Sequence, residues 1–319
     1  MINLRRLHHL RVLLEHGHFK HAAKALNISQ PALTKSIQAL EVELGATLFD
    51  RKRGAPALTE FGELVVQRSK PLFAAEADLE REVALLAGYE AGSLKVALGP
   101  YPHLMSGYLG ISRVLARHPK LSIAVHVAGW REVARQVASR LVDIGIAEIG
   151  DLEGSEELAT EMIGQHRGRF CCRPGHPLLE CDQVSLPQLL AFPWVCTRLP
   201  LRLAGRLPKS LGAAGTIDPV NGDFVPAVEV DVPIQLGKFL AGSDALAIVS
   251  LTMIAPELKA GEIAVVPVSG FAIQTAYGFL YRRNRTLAPA TLAYMREIRA
   301  VEAEIVKQEA ALARDFDLE

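Results

Sequence analysis

Between Ser29 and Gln38 the chain places Gln30, Thr34 and Gln38 at intervals of four, with Pro31 and Lys35 alongside, while Leu33, Ile37 and Leu40 recur on the opposite side of the pattern. A helix with that spacing buries the aliphatic stripe and turns the amide, hydroxyl and ammonium groups outward. Those groups suit the edges of bases: glutamine pairs with adenine, threonine meets a base or a methyl, and lysine reaches guanine or a phosphate. Arg51, Lys52 and Arg53 form a second cationic set that can neutralise phosphates or enter a minor groove. Far along the chain, Thr197 with Arg198 and Tyr101 with His103 offer donors to a small ligand. An ordinary amphipathic surface helix presents a similar outer face, so the elements around these residues decide.

Leu4, Leu7, Leu10 and Leu14 make one apolar stripe of a first helix, which Gly17 ends. Phe19 to Leu26 reads as a second helix, whose Ala22 and Ala23 are small enough for a close crossing. Asn27 tolerates the left-handed backbone that closes a helix. Ser29 is a good N-cap for the third helix, and Pro31 falls in its first turn, where no backbone donor is lost. This third helix is expected to run to about Leu40. Helix, short turn and helix with a polar outer face is the helix-turn-helix arrangement. Residues 44–58 read as two short strands around the basic turn Arg51–Lys52–Arg53, a wing. Thr59 then caps a helix over 59–88, with Glu60 and Glu63 favourable to its dipole. Val65, Leu72, Ala75, Leu79 and Leu86 approximate a heptad seam interrupted by Arg68 and Glu82, and Pro71 is expected to kink the helix or weaken one turn.

The net charge of zero over 319 residues conceals an asymmetry. Residues 1–58 hold nine Lys and Arg against four acids, so a compact basic module with five surplus positive charges sits on a body with five surplus negative ones. That is the footprint expected of a nucleic-acid binder, and also of many solvated basic faces. The length suggests two or three domains. No apolar run approaches the ~20 residues of a membrane span, and Met1–Arg6 lacks the apolar core of a signal peptide, so a cytoplasmic location is expected. The four cysteines (171, 172, 181 and 196) fit no metal spacing and read as small buried hydrophobes in a reducing compartment, redox sensing being the lesser alternative. His16, His18 and His21, beside His8 and His9, suggest zinc, but they lack a fourth ligand and read as solvated or phosphate-facing. Dinucleotide, Walker and nucleophile-elbow signatures are missing. Neither an enzyme nor a bound cofactor or metal is expected.

From Leu94 onward strands and helices alternate: strands at Leu94–Leu98, Leu121–Val127 and Val142–Ala147, with helical sequence before Arg117 and over Arg131–Arg140. This βαβαβ order implies a parallel doubly wound sheet. A second set follows between about 168 and 266, and Phe271–Tyr281 with the helix from Pro289 returns to the first lobe. Ligands of open α/β sheets bind at the carboxyl ends of strands. That rule selects Pro100, Tyr101 and His103, then Gly129 and Trp130, then Glu148, and from the other lobe Thr197 and Arg198.

The string from Ala22-Ala23 through Ser29-Gln30-Pro31-Ala32-Leu33-Thr34, Leu40-Glu41, Leu44-Gly45 and Leu48-Phe49-x-Arg51 to Leu58-Thr59-x-x-Gly62 resembles the DNA-binding signature of LysR-type transcriptional regulators. More than fifteen positions fall in register without a gap. Leu10 stands where that family usually has Phe, His18 where it often has Ser, and Thr34-Lys35 where it often has Ser-Arg; lysine cannot make the bidentate fork on guanine. Val142–Ile146, His176–Leu178 and Leu240–Ala247 are similar to the family's effector domain, which itself looks like a periplasmic binding protein. The resemblance implies an α+β multidomain chain. A winged helix-turn-helix spans 1–58, a linker and dimerisation helix 59–89, and a two-lobed effector domain 90–319, with lobe I at about 92–163 and 268–305 and lobe II at about 164–267. It implies DNA contact by Ser29, Gln30, Pro31, Thr34, Lys35, Gln38, Arg51, Lys52 and Arg53. It further implies promoter DNA, a small effector, a second copy of the chain in a dimer or tetramer, and RNA polymerase as candidate partners; helix N-termini at the selected loops and Arg198 suggest that the effector is anionic, unless Arg198 points into solvent. The two-lobed portion alone also fits a transporter's solute-binding protein or an enzyme with a nucleotide-type fold; the basic module and the lack of a catalytic constellation argue against both.

Replacing Arg51 or Arg53 by alanine is expected to weaken binding to all DNA sequences alike. For each phosphate no longer neutralised, the slope of log affinity against log salt should flatten by about one unit, which a salt titration of DNA binding measures.

Overall fold

A computed structural model describes residues 2–50, 57–86, 92–152, 155–230 and 236–318 and divides the chain into two compact units, Met1–Glu80 and Arg81–Glu319. In the first, helix α1 (Leu4–His16) starts at Asn3, whose side chain accepts the Arg5 N–H, and stops at Gly17 with φ 65°. Helix α2 (Phe19–Ala25) buries Ala22 and Ala23, and Asn27 takes φ 53° in the turn that follows. Helix α3 (Gln30–Leu44) is capped by the Ser29 side chain, which accepts the Ala32 N–H. It runs one turn beyond the expected end at Leu40, to Gly45 at φ 66°. The extra turn has a cause: Glu41 is buried there and its Oε1 accepts the Leu48 N–H at 2.8 Å, tying the helix to the strand that follows. Strands β1 (Phe49–Asp50) and β2 (Ala57–Leu58) pair antiparallel. Arg51, Lys52 and Arg53 lie outside the described residues.

Helix α4 (Glu60–Leu86) begins where the Thr59 hydroxyl donates to Thr47 O at 2.7 Å and accepts the Gly62 N–H at 3.1 Å. A Cβ on Gly62 would stand 2.3 Å from Leu48 O and 2.7 Å from the Leu58 side chain, so no other residue fits at this seat. Leu10, Leu13, Leu33, Leu40 and Leu48 are fully buried in the unit's core. Val65, Val66 and Phe73 of α4 pack on that core, so Val65, which the heptad pattern assigned to a seam, serves its own unit. Leu72 and Leu79 are exposed, the helix continues through Pro71, and the side chain of Leu86 lies outside the described residues.

The second unit opens with β3 (Ser93–Leu98), the short α5 (Pro100–Pro102), a π-turn over His103–Gly107 and α6 (Tyr108–Arg117). Then come β4 (Ser122–Val127), α7 (Trp130–Ala138) and β5 (Ile144–Glu148), and β3 pairs parallel with both β4 and β5. The long β6 (Leu158–Cys172) leads to α8 (Leu186–Leu190), β7 (Trp194–Cys196) and α9 (Leu201–Ala204). The small strands β8 (Gly215–Ile217), β9 (Phe224–Pro226) and β10 (Val228–Glu229) follow. After them stand α10 (Leu236–Ala241), β11 (Leu246–Val249), α11 (Ala255–Lys259) and β12 (Ala264–Val265). The unit closes with β13 (Ile273–Arg282) and α12 (Pro289–Asp315). Among the described residues nine strands form one sheet in the order β10-β7-β11-β6-β13-β5-β3-β4, with β12 on β6. The expected parallel pairing holds for β3 with β4 and β5 in one lobe and for β7 with β10 and β11 in the other, but not for the whole sheet. The joins β11–β6 and β13–β5 are antiparallel, so the sheet is mixed.

Two strands carry the chain between lobes. β6 and β13 pair from Ile273↔Gly168 to Arg282↔Leu158, with one irregularity at Tyr277/Gly278. His166 of β6 is buried beside this crossing, its Nε2 3.0 Å from Glu302 and its Nδ1 2.8 Å from Glu309, both on α12. The ring stacks on Tyr277 at 4.8 Å, the Tyr277 hydroxyl reaches Glu302, and the Ser250 hydroxyl donates to Glu309. A Cβ on Gly164 would fall 2.6 Å from His166 Nε2, so glycine there makes room for the imidazole. Burial pushes the His166 pKa down, but hydrogen bonds and charge from Glu302 and Glu309 outweigh it and hold it at about 9.

A folded pKa above the unfolded value of 6.5 means stability fully present below pH 6.5 and lost as pH rises through about 9. The melting-temperature advantage of the wild type over His166→Gln is therefore expected to be largest near pH 6 and to shrink by several degrees by pH 10. Thermal melts of both proteins across that range check it; an advantage independent of pH contradicts a charged His166.

Candidate functional site

Two regions gather the sequence-selected residues. On α3, Gln30, Pro31, Lys35 and Gln38 are exposed along one face. Ser29, also exposed, uses its hydroxyl as the helix cap. Thr34 is half-buried and its hydroxyl donates to Gln30 O at 3.1 Å, which leaves its oxygen lone pairs and methyl to face outward contacts. Sequence reasoning missed the group behind this face. His9 of α1 is buried, with Nδ1 2.7 Å from the Ser36 hydroxyl of α3. Burial, then Arg5, then His8 lower its pKa, so a neutral imidazole braces the helix at pH 7.

The second region is a cavity of about 280 Å³ at the carboxyl ends of the strands of both lobes. The β3 end supplies Pro100 and Tyr101, the start of α7 supplies Gly129 and Trp130, the β5 end supplies Glu148, and the segment after β7 supplies Thr197 and Arg198. The strand-end rule thus brings together seven of the eight residues it selected. His103 is the exception: it is buried in the π-turn and its Nδ1 lies 3.3 Å from Gly99 O, so it shapes the loop without lining the cavity. Burial lowers its pKa.

Arg198 differs from expectation in another way. Its Nε donates to Glu229 at 2.7 Å and its Nη1 to Asp218 at 2.9 Å, so two carboxylates already hold the cation that was to receive an anion. Two further arginines pair across the cleft. Arg131 of α7, lying over the Trp130 ring at 4.2 Å, makes a two-pronged contact of 2.9 Å each with Asp223 ahead of β9. Arg202 of α9 donates to Glu148 at 2.6 Å, and Glu148 also accepts from Gly150 N and Ala276 N. Each lobe therefore gives one arginine to a carboxylate of the other. Sequence reasoning missed Arg131, Arg202, Asp223 and Glu229, and also Thr275 and Tyr277 of β13, which line the inner wall. Period-two spacing links the last two, but nothing local in the sequence marks ion-pair partners 54 and 92 residues apart.

Cys171, Cys172 and Cys196 are buried, as expected of small hydrophobes. Burial pushes the Cys172 thiol up to about 11 and the other two higher still, which disfavours the thiolate that redox sensing needs. Among the described residues no group of three metal-binding side chains gathers, and no helix is long and apolar enough to cross a membrane.

Comparison with known proteins gives two family matches. Residues 4–63 match the bacterial regulatory helix-turn-helix protein of the lysR family, and residues 87–303 match the LysR substrate binding domain. The chain is 33% identical to an SDS degradation transcriptional activation protein of a Pseudomonas species, over 91% of this chain and 93% of that one. It is 25% identical to the HTH-type transcriptional regulator CbbR of Sinorhizobium medicae, over 92% and 91%. In fold it is similar to full-length CbnR complexed with its target DNA, with a TM-score of 0.62 at 18% identity over 94% of this chain and 99% of that one.

Arg131→Ala leaves the Asp223 carboxylate, 2% exposed, without its cation. The change is expected to destabilise the second unit by about 1–3 kcal/mol, and Asp223→Ala combined with it should recover part of that loss. Urea unfolding of the two single variants and the double variant measures the coupling.

Proposed function

The chain belongs to the LysR family of transcriptional regulators, and from that premise we propose which of its residues read DNA and which hold the effector. It is a DNA-binding regulator with a helix-turn-helix and an effector-binding domain. In our reading Gln30, Lys35 and Gln38 meet base edges in a major groove, Thr34 offers a methyl and an acceptor, Ser29 and Pro31 set the entry of α3, and Arg51, Lys52 and Arg53 contact phosphates. The observation that carries this is the exposed polar face of α3, braced from behind by the His9–Ser36 bond and started by the Ser29 cap.

In our reading the effector occupies the 280 Å³ cavity, against Pro100, Tyr101, Gly129, Trp130, Glu148, Thr197 and Arg198, which line it. Two lobes joined by two strands can close on a ligand, and a ligand shifts the regulator only as far as it binds one arrangement better than the other. An anionic effector, the reading that Arg198 suggests, has to share that arginine with Glu229 and Asp218. For the domains we propose 1–58 for DNA binding, 59–89 for the linker helix and 90–319 for the effector domain, although the compact units divide nearer residue 80. Leu72 and Leu79 stand exposed on α4, which supports a second copy of the chain as their partner, in a dimer or a tetramer. RNA polymerase is the further partner proposed, with the cytoplasm as the site of action.

Gln30→Ala is expected to weaken specific binding by about 1–3 kcal/mol, and Thr34→Ala by the lower end of that range because its hydroxyl hydrogen is held by its own helix. Gel shifts and footprints on the DNA upstream of the regulator's own gene test both. Wild-type affinity in the two variants would remove α3 from the role of reading helix.

A further inference from the structure

The effector cleft is unusual in what it does not offer. Each cation on its wall already holds a carboxylate of the same wall or of a residue just behind it: Arg131 holds Asp223, and Arg198 holds Glu229 and Asp218. Three of the four lining hydroxyls are committed too, and the fourth, Thr197, reaches the Arg198 carbonyl at 3.4 Å. Tyr101 donates to Ile248 O at 2.9 Å, Thr275 to His166 O at 3.2 Å, and Tyr277 to Glu302 at 3.3 Å. Against the two lining arginines stand four lining carboxylates, Glu132, Glu148, Asp223 and Glu229. The rest of the wall is largely proline, leucine and the rings of Trp130, Tyr101 and Tyr277. A smaller pocket of about 30 Å³ shares Tyr101, Leu199, Thr275 and Tyr277 with the cavity and is lined besides by Met105, Ile248, Val249 and Ile273, with His166 and Ser250 at its polar side.

Resting on the cleft being the effector site, we propose that its ligand is a small, uncharged molecule with a predominantly apolar body, seated between the Trp130 and Tyr101/Tyr277 rings with its narrow end toward the inner pocket. The pairing already in place decides between ligand classes. A carboxylate or sulfate that reaches the remaining N–H groups of Arg198 becomes a third anion on a cation that Glu229 and Asp218 already neutralise, in a wall that carries an excess of negative charge. An apolar body breaks none of these bonds. It removes ring and aliphatic surface from water, which is the interaction that the wall has in surplus. A cation avoids the repulsion but gives up its hydration without finding a free acid, because Glu132 is held by Arg135 and Gln136, and Glu148 by Arg202.

The test uses three eight-carbon probes, 1-octanol, octanoate and octylammonium, titrated into the full-length protein. Calorimetry and the fluorescence of Trp130 provide the readouts. The expected result is one octanol site per chain, with octanoate at least tenfold weaker and octylammonium between them. Thr197→Phe and Asn221→Phe, two rim positions whose side chains would grow into the cavity, are each expected to weaken octanol by tenfold or more; because each lies on a loop, one poorly folded variant leaves the other to decide. Asp218→Asn combined with Glu229→Gln frees Arg198 and is expected to strengthen octanoate about tenfold. Octanoate binding to the wild type as tightly as octanol, and blocked by the rim variants, overturns the ligand class while leaving the cleft as the effector site. Octanol binding unaffected by both rim variants, or no binding of any probe, overturns the cleft assignment and this inference with it.

Discussion

The antiparallel crossing of β6 and β13 is the constraint on which the sensor depends. It joins strands that are parallel within each lobe into one continuous sheet, and both lobes hang from it. Because the lobes' own strands end beside this crossing, their loops converge on one cavity, and Thr275 and Tyr277 of β13 supply the inner wall. The opposite requirement, that a crossing strand be held against a neighbouring helix, is met by His166 between Glu302 and Glu309. A buried charge is costly unless paired, and here two carboxylates share one imidazolium with help from Tyr277 and Ser250. The cavity wall and the helix α12 are thus tied to the same two strands.

Charge pairing in the cleft follows the same logic at a different scale. Arg131–Asp223 and Arg202–Glu148 each span the lobes, with one cation contributed from either side. Each pair is close and hydrogen-bonded, and Asp223 is nearly inaccessible to solvent, so its carboxylate depends on its partner. In this arrangement each of the two arginines already answers a carboxylate of the opposite lobe, which in the proposed reading shifts the burden of ligand recognition from charge to shape and apolar surface.

Legibility in the sequence followed the range of the interaction. Ser29 as a cap, Gly17 and Asn27 as helix ends, and the aliphatic stripe of α3 depend on neighbours within a few residues, and all stand where the pattern put them. The last turn of α3 depends on Glu41 reaching Leu48, a separation of seven residues, and it was missed. The strand-end rule found the loops of the cleft because alternation of strand and helix is itself visible. It could not tell a free Arg198 from one held by Asp218 and Glu229, since those partners lie 20 and 31 residues away and meet only through the fold. His103 was read from its loop position, while the π-turn that withdraws it inward leaves no local mark.

The seat of α4 on the hairpin has a mechanical meaning. With the first turn of the helix packed so closely on Leu48 and Leu58 that position 62 admits no side chain, and with Thr59 bonded back to Thr47, the joint has no clearance in which to slide. The hairpin and the start of the long helix therefore turn as one piece. Any rotation of that first turn must carry Leu48, next to one strand, and Leu58 of the other along with it.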